Sequence, residues 1–597
     1  YLYNTGQGEN SLVSVKTTKA KSYAFGMMGE NSYITNDAVI NVESQAADAY
    51  GLYVKDGTAI NNSNGIINVS GATGSYGIYA ISTNEGDTIV QNAGRINLLS
   101  NSKNIGIYAS GENAKVQNTG IITINGSRYN NICDDGQCDN NVAIVLANGA
   151  QLVNGGSITS TNNMDLNAMG GTVSIAKGGN FTAEGSISGN LNVETDTVMN
   201  NFANEIVLED ALEAEDVSQT NVNIASYLYN TGIKENDSGT YDIVLDMKDF
   251  SEVTNNSSES AYLKQNYDAE KNAALFNALK AAPTATAAEL VEARSMGTSF
   301  IPNIAEEELK VQRSLNRTMT NELFKDGGDV RKFVGADAMK VGRSDSGSLT
   351  SYDINSQSTY ALYDKKLNNR YRLGLGMSFT HTDTDYNDDS HRKNFNVQGY
   401  VPLTYKLGNR LTAVSMAELG YSDGDYTRKG YNQSFKADTS AITYGLLNEL
   451  RYKANLGSVN ITPFIGLNAL GWYQDSISEG RADDALHIKA TNVFSLESAL
   501  GMYVDKDIEF NEDNRLNMAL GIGWYHEFAD PYKGYDAHHT DSIGKYKLKH
   551  KIHSDDRGLI SAKLKYDYKA FSIYAELLQY LEEEHPTEFD GGIQYRF

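Results

Sequence analysis

Histidine, proline and long apolar runs are absent from most of this 597-residue chain. All nine histidines lie at or after His381, so a Ser-His-Asp triad or a histidine zinc site is excluded from the preceding residues. The six prolines all lie at or after Pro283, which marks a boundary between two kinds of structure. No apolar run reaches the roughly 18 residues that a membrane-spanning helix needs. The net charge of −25 argues against nucleic acid as a partner.

Cysteine is almost absent too, and its two copies lie close together at Cys133 and Cys138. In an oxidising compartment such a pair is expected to form a small disulfide that pins a protruding loop. Its stabilising effect should be modest, because so short a loop removes little entropy from the unfolded chain. The nearby Asp134, Asp135 and Asp139 match no calcium-loop spacing, which favours a solvated acidic tip. Neither a metal nor a cofactor is predicted for any part of the chain.

A repeat fills the first 200 residues. Residues 50–53 (YGLY), 76–79 (YGIY) and 105–108 (IGIY) open successive units, and each unit then reaches an Asn/Gly turn and a short β-branched run such as 65–69. Units of this kind are typical of the stacked coils of a parallel β-helix, whose corners Asn and Gly accommodate. The alternative is an antiparallel sandwich, but sandwiches do not repeat their sequence.

The periodicity becomes helical between residues 258 and 325. We predict one helix over 261–279, a second over 285–296 and a third over 304–324. The third is too polar on most faces for a core helix. Its charged residues include Glu306, Glu307, Glu308, Lys310, Arg313 and Arg317. At 1.5 Å per residue it spans roughly 32 Å, close to the hydrocarbon thickness of a bilayer. Such a helix can run down a polar pore; the alternative is a surface helix beside a barrel mouth.

From residue 329 onward, apolar and polar residues alternate in about twelve runs of roughly ten residues, the length of a tilted membrane strand. The connections alternate in length, as the periplasmic turns and outer loops of an outer-membrane barrel do. We expect short turns at 366–370, 408–410, 455–458 and 568–570, long loops at 381–391, 422–431, 474–486 and 529–545, and an unusually long connection at 505–514. His538, His539 and the run 582–585 are predicted to be solvated loop residues rather than metal ligands.

The last strand, 589–597, ends in a bare aromatic residue. Ile593, Tyr595 and Phe597 fall on one face, while Gln594 and Arg596 fall on the other. An apolar outer face and a polar inner face suit a barrel wall between lipid and a wet lumen. The alternative, an edge strand of a soluble sheet, is usually blunted by charge or proline.

A β-helical repeat, a helical linker, a barrel of about twelve strands and a terminal Tyr-Arg-Phe together resemble a monomeric type V (Va) autotransporter of Gram-negative bacteria. Residues 241–253 and the helical segments 272–279 and 288–294 are similar to the junction before this family's barrel. The resemblance implies a barrel that anchors and helps export the N-terminal passenger, with a helix left in the pore. It also implies that a barrel-assembly machine recognises the last strand at Ile593, Tyr595 and Phe597.

We therefore predict an all-β protein with a parallel β-helix passenger (1–200), a passenger end and junction (201–257), a helical linker with the pore helix (258–325) and a transmembrane antiparallel barrel (326–597). The chain is expected to be a monomer in outer-membrane lipid and not an enzyme. Its surface-exposed passenger would be an adhesin for an unknown host or bacterial receptor. The runner-up is a translocator whose enzyme or toxin domain lies upstream of this sequence. A diffusive porin is opposed by the passenger and the pore helix.

Overall fold

The computed structural model of this chain describes most of the sequence. The described residues are 2–4, 12–19, 22–83, 86–99, 103–125, 133–134, 137–138, 142–161, 163–166, 171–254, 256–325, 327–343, 351–531, 534–548, 555–581 and 586–597. They form two compact units, of which the first contains residues 1–252 and 277–288 and the second contains residues 253–276 and 289–597.

The first unit is a solenoid of three sheets, in which each coil of the chain adds strands that pair in parallel with those of the coil before. The first sheet contains Leu2–Asn4, Tyr33–Asn36, Thr58–Asn61, Thr88–Asn92, Ala114–Asn118, Gln151–Asn154, Met164–Asp165, Thr172–Ile175, Ser186–Val193 and Asp216–Ile224. The second contains Leu12–Thr17, Val39–Ser44, Ile66–Gly71, Arg95–Leu98, Ile121–Ile124, Ser157–Ser160, Asn180–Ala183, Glu205–Glu213, Tyr229–Glu235 and Tyr241–Met247, the last two pairing antiparallel. The third contains Ala24–Glu30, Ala49–Lys55, Gly74–Ile81, Lys103–Ser110 and Val142–Ala147.

Alternate residues of these strands form columns of identical side chains inside the solenoid. Ile40, Ile67, Ile96, Ile122 and Ile158 occupy matching positions in successive coils, and all five are fully buried. Burial of each such side chain contributes about 1.5 to 3 kcal/mol. The parallel, in-register pairing confirms the β-helix and rules out the sandwich.

The glycine of the YGxY repeat is explained by the packing of the third sheet. A Cβ at Gly51 would lie 2.6 Å from the carbonyl oxygen of Gly77, and one at Gly77 would lie 2.7 Å from that of Gly106. Successive coils approach too closely here for any side chain. The repeat in the sequence therefore records a steric requirement of stacking.

Four helices follow the solenoid: α1 Ser257–Asp268, α2 Ala273–Ala281, α3 Ala285–Met296 and α4 Asn303–Leu323. The predicted single helix over 261–279 is wrong. The backbone turns where Glu270 and Asn272 have φ of +55° and +52°, and Asn272 Oδ1 accepts a hydrogen bond from Leu275 N at 3.4 Å. Asn272 thus offers α2 a new start in place of a continued helix. None of the described helices is both long and apolar enough to cross a bilayer.

Twelve long antiparallel strands complete the second unit. They are β1 Val330–Arg343, β2 Tyr352–Lys366, β3 Tyr371–Tyr386, β4 His391–Lys406, β5 Leu411–Lys429, β6 Ser434–Tyr452, β7 Val459–Gln474, β8 Thr491–Asn511, β9 Asn514–Glu527, β10 Asp556–Tyr568, β11 Phe571–Leu581 and β12 Thr587–Arg596. Each strand pairs with the next, and β1 pairs with β12, for example Val334 with Tyr595. The sheet is closed, which confirms the predicted barrel and its strand number.

Several predicted outer loops are strand instead. Strand β3 continues to Tyr386 and β5 to Lys429, so the expected loops at 381–391 and 422–431 shrink to short turns. The expected long connection 505–514 is a hairpin, because β8 runs to Asn511 and β9 begins at Asn514. Polar composition marks where strands leave lipid, but it does not mark where their hydrogen bonding ends.

Further short strands lie between the long ones. They are Ala454–Leu456, Ile477–Ser478, Leu486–Ile488, Tyr535–His539 and Tyr546–Leu548. The last four pair with one another as a small sheet outside the barrel wall, hereafter the outer-loop sheet. It belongs to the connections β7–β8 and β9–β10, which the sequence predicts only as loops.

Candidate functional site

The outer wall of the barrel is apolar. Leu375, Leu419 and Leu520 are 65%, 64% and 63% exposed, whereas the inward Ser378 and Thr384 are fully buried. Aromatic residues flank this apolar band on both sides. Those on one side include Tyr363, Tyr371, Tyr452, Tyr568 and Phe571, and those on the other include Phe379, Phe395, Tyr421, Tyr473, Phe494 and Trp524. An apolar band between two aromatic girdles is the lipid-facing surface of an outer-membrane barrel.

Helix α4 lies inside this barrel. Its side chains reach strands β1, β4, β5, β8, β9, β10 and β12, which surround it on all sides. All residues from Asn303 to Leu309 are buried, although α4 is largely polar. Buried polar and charged groups require partners, and the inward side chains of the strands supply them.

The first turns of α4 are acidic and meet arginines of the wall. Arg343 of β1 binds Glu306 at 2.5 Å, and Lys310 of α4 binds the same carboxylate at 2.6 Å. Arg392 of β4 pairs with both Glu307, at 3.2 Å, and Glu308. These pairs hold the N-terminal half of α4 to one side of the wall.

The middle of α4 carries the opposite charge. Arg313 donates to Ser495 of β8 at 3.0 Å and pairs with Glu527 of β9 at 3.3 Å. Arg317 pairs with Glu588 at 2.5 Å and with Asp590, both on β12. Glu588 and Asp590 are almost completely buried, so removal of Arg317 would leave two carboxylates without a counter-charge inside the barrel.

The lumen also contains hydrogen bonds from amide side chains of α4 to the wall, and a cavity. Gln312 and Asn316 donate their amide hydrogens to one carboxylate oxygen of Glu418, at 2.6 and 3.2 Å. A cavity of about 80 Å³ remains between α4 and strands β5 to β11, with Arg451 and Glu497 in its lining. It has room for several water molecules. Helix α4 therefore fills most, but not all, of the interior on this side.

The six charged pore-helix residues named from the sequence all lie on α4 and face side chains of the wall, but their partners on the strands are not evident from the sequence. The ionisable partners are Arg343, Arg392, Glu527, Glu588 and Asp590. Each is an ionisable residue at an inward position of a period-two strand, and that pattern is the signal that could have found them.

The last strand has the orientation that its alternation predicts. Ile593, Tyr595 and Phe597 are 45%, 43% and 74% exposed on the outer wall. On the inner side, Gln594 donates to the hydroxyl of Tyr360 at 2.8 Å. The role of the three outer residues as an assembly signal stays a prediction.

The outer-loop sheet contacts the segment that leads into α4. We define this connector as residues 256–276 and 289–302. His539, predicted to be solvated, is completely buried: its Nδ1 lies 3.0 Å from the hydroxyl of Tyr262 on α1, and its Nε2 lies 3.1 Å from the carbonyl oxygen of Ser295. Burial lowers the pKa of His539 to about 3. The predicted loop residues 582–585 lie outside the described part of the chain.

Other contacts also hold the connector, among them an ion pair between Lys271 and Asp541 at 3.0 Å. Asn266 of α1 donates to the carbonyl oxygen of Ile543 at 3.0 Å and accepts from its N–H at 2.8 Å. Tyr546 of the outer-loop sheet donates to the carbonyl oxygen of Met296 at 2.6 Å. Arg428 of β5 forms a buried pair with Glu479 at 2.5 Å and also donates to the carbonyl oxygen of Arg294 in the connector. We call these contacts, with those of His539, the outer-loop clasp.

Inside the passenger, asparagines form a ladder at the ends of the first-sheet strands, and all but the half-buried Asn4 are fully buried. Each Nδ2 donates to the Oδ1 of the next, at 2.7 to 2.8 Å, through Asn4, Asn36, Asn61, Asn92, Asn118 and Asn154. From the sequence, Asn is expected only in turns. The recurrence of Asn just before the turn glycine at 92–94, 118–120 and 154–156 is the signal that this expectation misses.

Outside, the third sheet carries a ladder of aromatic rings. Tyr50 stacks on Tyr76 with centroids 4.7 Å apart, and Tyr79 stacks on Tyr108 at 4.5 Å. Tyr76 and Tyr79 meet edge to face at 5.4 Å.

The backbone of Cys133 pairs with that of Cys138, but their side chains lie outside the described part of the structure, so the disulfide stays a prediction. Within the described residues, no group of three His, Cys, Asp or Glu is arranged to hold a metal ion.

Two family models match the chain. The autotransporter β-domain matches residues 333–577, and the third pectate lyase-like domain of BigA matches residues 1–155. The second match is a likeness of fold and assigns no catalytic function. The search of curated proteins found no match.

Several solved structures resemble about half of the chain. The translocator domain of the autotransporter NalP from Neisseria meningitidis is 11% identical with a TM-score of 0.40, covering 49% of this chain and 97% of that one. The β domain of the Bordetella autotransporter BrkA is 16% identical with a TM-score of 0.34, covering 45% and 99%. The transport unit of AIDA-I from Escherichia coli is 12% identical with a TM-score of 0.32, covering 48% and 97%.

The pectate lyase-like match lies on the β-solenoid, and the autotransporter match lies on the closed barrel of twelve strands. The barrel domain matches the autotransporter family over most of its strands. Residues 333–577 therefore form an autotransporter β-domain, with its barrel in the outer membrane and the β-helical passenger exposed at the cell surface.

Proposed function

We propose that the barrel exports and then anchors its own passenger, and that the passenger is an adhesin. The observation that supports export is the position of α4. It runs through the lumen and continues into β1, which is the path expected of a chain that was exported through the ring of strands. The ion pairs of Arg313 and Arg317 with the wall would then retain the exported chain.

Adhesion is supported by the shape and chemistry of the passenger. Its stacked coils offer a long, regular outer face with polar and aromatic side chains, which suits recognition of an extended partner. Residues 1–200 contain no histidine, so neither a Ser-His-Asp triad nor a histidine zinc site can form there. The partner would be a receptor on a host or bacterial surface.

Adhesion is tested with bacteria that display either the whole chain or residues 300–597 alone. Cells with the whole chain should bind a partner cell better, and Cys133→Ser with Cys138→Ser should weaken binding if the loop between them is a contact. Surface labelling of both strains controls for display. Hydrolysis of protein, ester or glycan by the passenger would instead favour a translocator with an enzyme or toxin; equal adhesion of the two strains would refute the adhesin.

The export proposal depends on the position of α4 in the lumen. That position is tested by the ionic conductance of purified barrels in planar bilayers. Residues 326–597 should conduct more than residues 300–597, because a helix about 10 Å wide nearly fills a barrel of this size. The proposal predicts that Arg317→Ala in the longer protein moves its conductance towards that of the shorter one. Equal conductance of the two proteins would mean that α4 does not occupy the pore of the membrane-inserted barrel.

A further inference from the structure

The outer-loop clasp contains a group that neither anchoring nor adhesion uses. His539 is fully buried at the centre of a contact between the outer-loop sheet and the connector. Tyr262 O–H and Nδ1 lie 3.0 Å apart, and the backbone N–H of His539 donates to the same hydroxyl oxygen, also at 3.0 Å. Nε2 lies 3.1 Å from the carbonyl oxygen of Ser295. With Nε2 protonated and Nδ1 accepting from Tyr262, the neutral ring satisfies both nitrogens.

We propose that the outer-loop clasp is a pH-operated lid, which holds the connector over the barrel when His539 is neutral and releases it when His539 takes up a proton. Three of its fixing points lie on different elements. His539 binds α1 and the carbonyl of Ser295, Asn266 binds Ile543, and Tyr546 binds the carbonyl of Met296. All of them join connector to outer loop, so release at one weakens the others.

A proton on Nδ1 breaks the pattern of donors and acceptors. Tyr262 would lose the nitrogen to which it donates, and two N–H groups would face its hydroxyl oxygen. The added charge would also be buried without compensation. Among the described residues no carboxylate pairs with His539.

The charged and titratable groups around His539 oppose its protonation. Arg428 of β5 and the neighbouring His538 both disfavour a positive charge on the ring. Glu479, the nearest acidic partner of Arg428, is engaged through two hydrogen bonds to that guanidinium at 2.7 and 2.5 Å. On α1, Glu259 accepts from Thr254 and Asn256 instead. Tyr262 and Tyr546 complete the surroundings of the ring.

The direction of the pH effect follows from linkage. In the clasp the pKa of His539 is lowered to about 3 by burial, whereas a released imidazole has an ordinary pKa of about 6.5. Below pH 6.5 the released form binds a proton that the closed form does not bind until about pH 3. The closed state is therefore fully favoured above pH 6.5 and is disfavoured by up to about tenfold for each pH unit below it.

The test is a distance measurement on the whole chain in lipid vesicles. Spin labels at Lys264→Cys on α1 and Lys545→Cys in the outer loop, with Cys133→Ser and Cys138→Ser, report the separation of connector and loop. Both lysine side chains are about half exposed and lie outside the three fixing points. We expect one short distance at pH 7.5 and a second, longer population at pH 4.5, with the open-to-closed ratio raised up to about a hundredfold. Heat-modifiable gel mobility should be unchanged, since the barrel stays folded.

Two variants decide whether His539 is the sensor. His539→Gln should lose the pH response, while the matched control His538→Gln, on the adjacent and less buried histidine, should keep it. A persistent response in His539→Gln, or no second population in the parent chain at pH 4.5, would overturn the lid. If His539→Gln fails to close at any pH, Tyr262→Phe decides: without the hydroxyl that donates to neutral His539, release should occur at higher pH, and an unchanged midpoint would overturn the proposal.

Discussion

The passenger and the barrel are both made of strands with two alternating faces, but they bury opposite ones. In the passenger, columns of Ile40, Ile67 and Ile96 are sealed inside, and polar residues face water. In the barrel, leucines such as Leu375 face lipid, and charged residues such as Glu588 are sealed inside. The same two-residue period thus gives a dry interior in one region and a charged interior in the other.

The two regions also satisfy their buried polar groups differently. The asparagine ladder uses one uncharged side chain per coil, and each amide meets the same group in the next coil. The barrel interior uses ion pairs between residues far apart in the sequence, such as Arg317 with Glu588. A defect in the passenger should therefore stay near its coil, whereas a defect in the lumen should affect the whole barrel.

The largest effect is expected at the outer surface of the barrel. Tyr595→Ser with Phe597→Ser should abolish insertion and surface display, because polar groups would replace the apolar face of the closing strand in lipid. The matched change on the outer face of the passenger is Tyr23→Ser with Met28→Ser. It should leave assembly intact, since both residues are about half exposed to water. Heat-modifiable mobility and surface labelling report both. If the Tyr595 and Phe597 variant is displayed normally, the outer face of the barrel tolerates polar residues as well as the outer face of the passenger does, which contradicts the prediction.

The next effect concerns the charged interior. Arg317→Ala should destabilise the barrel by about 3 to 5 kcal/mol, because Glu588 and Asp590 would remain buried without their cation. Adding Glu588→Gln and Asp590→Asn should recover much of that loss. The midpoint of urea unfolding in detergent measures both variants. Failure of the triple variant to recover would mean that Arg317 acts through packing rather than through charge.

A smaller and more local effect is expected in the asparagine ladder. Asn92→Leu leaves the amide of Asn61 without its acceptor and Asn118 without its donor, at about 1 to 3 kcal/mol for each. Hydrogen exchange should increase in the adjoining coils and not in the barrel. The control is Asn97→Leu, which removes a bond to Asn68 from a half-buried position and should have less effect. Exchange that rises throughout the chain would contradict local stacking.

The sequence predicts those features that repeat at a fixed period. The YGxY units indicate the β-helix, and the two-residue alternation indicates the barrel, its strand number and the outer face of Tyr595. It does not predict contacts between distant residues: nothing local relates Arg317 to Glu588, or His539 to Tyr262. Likewise the break at Glu270 to Asn272 depends on backbone conformation, which helical periodicity does not record.

The smallest effect is expected in the aromatic ladder on the outer face of the passenger. Tyr79 stacks between Tyr53, at 5.2 Å, and Tyr108, at 4.5 Å, and burial raises its pKa to about 12. Tyr79→Leu keeps an apolar side chain but loses the ring contacts, so it should destabilise its coils by only about 0.5 to 1.5 kcal/mol. Tyr79→Phe, which retains the ring, is the control and should be nearly neutral. Hydrogen exchange in the third sheet measures both, and the outer ladder contributes little if the Leu variant exchanges like the Phe variant. A loss larger than that of Asn92→Leu would mean that the passenger depends more on its outer face than on its interior, which is the arrangement expected of the barrel in lipid.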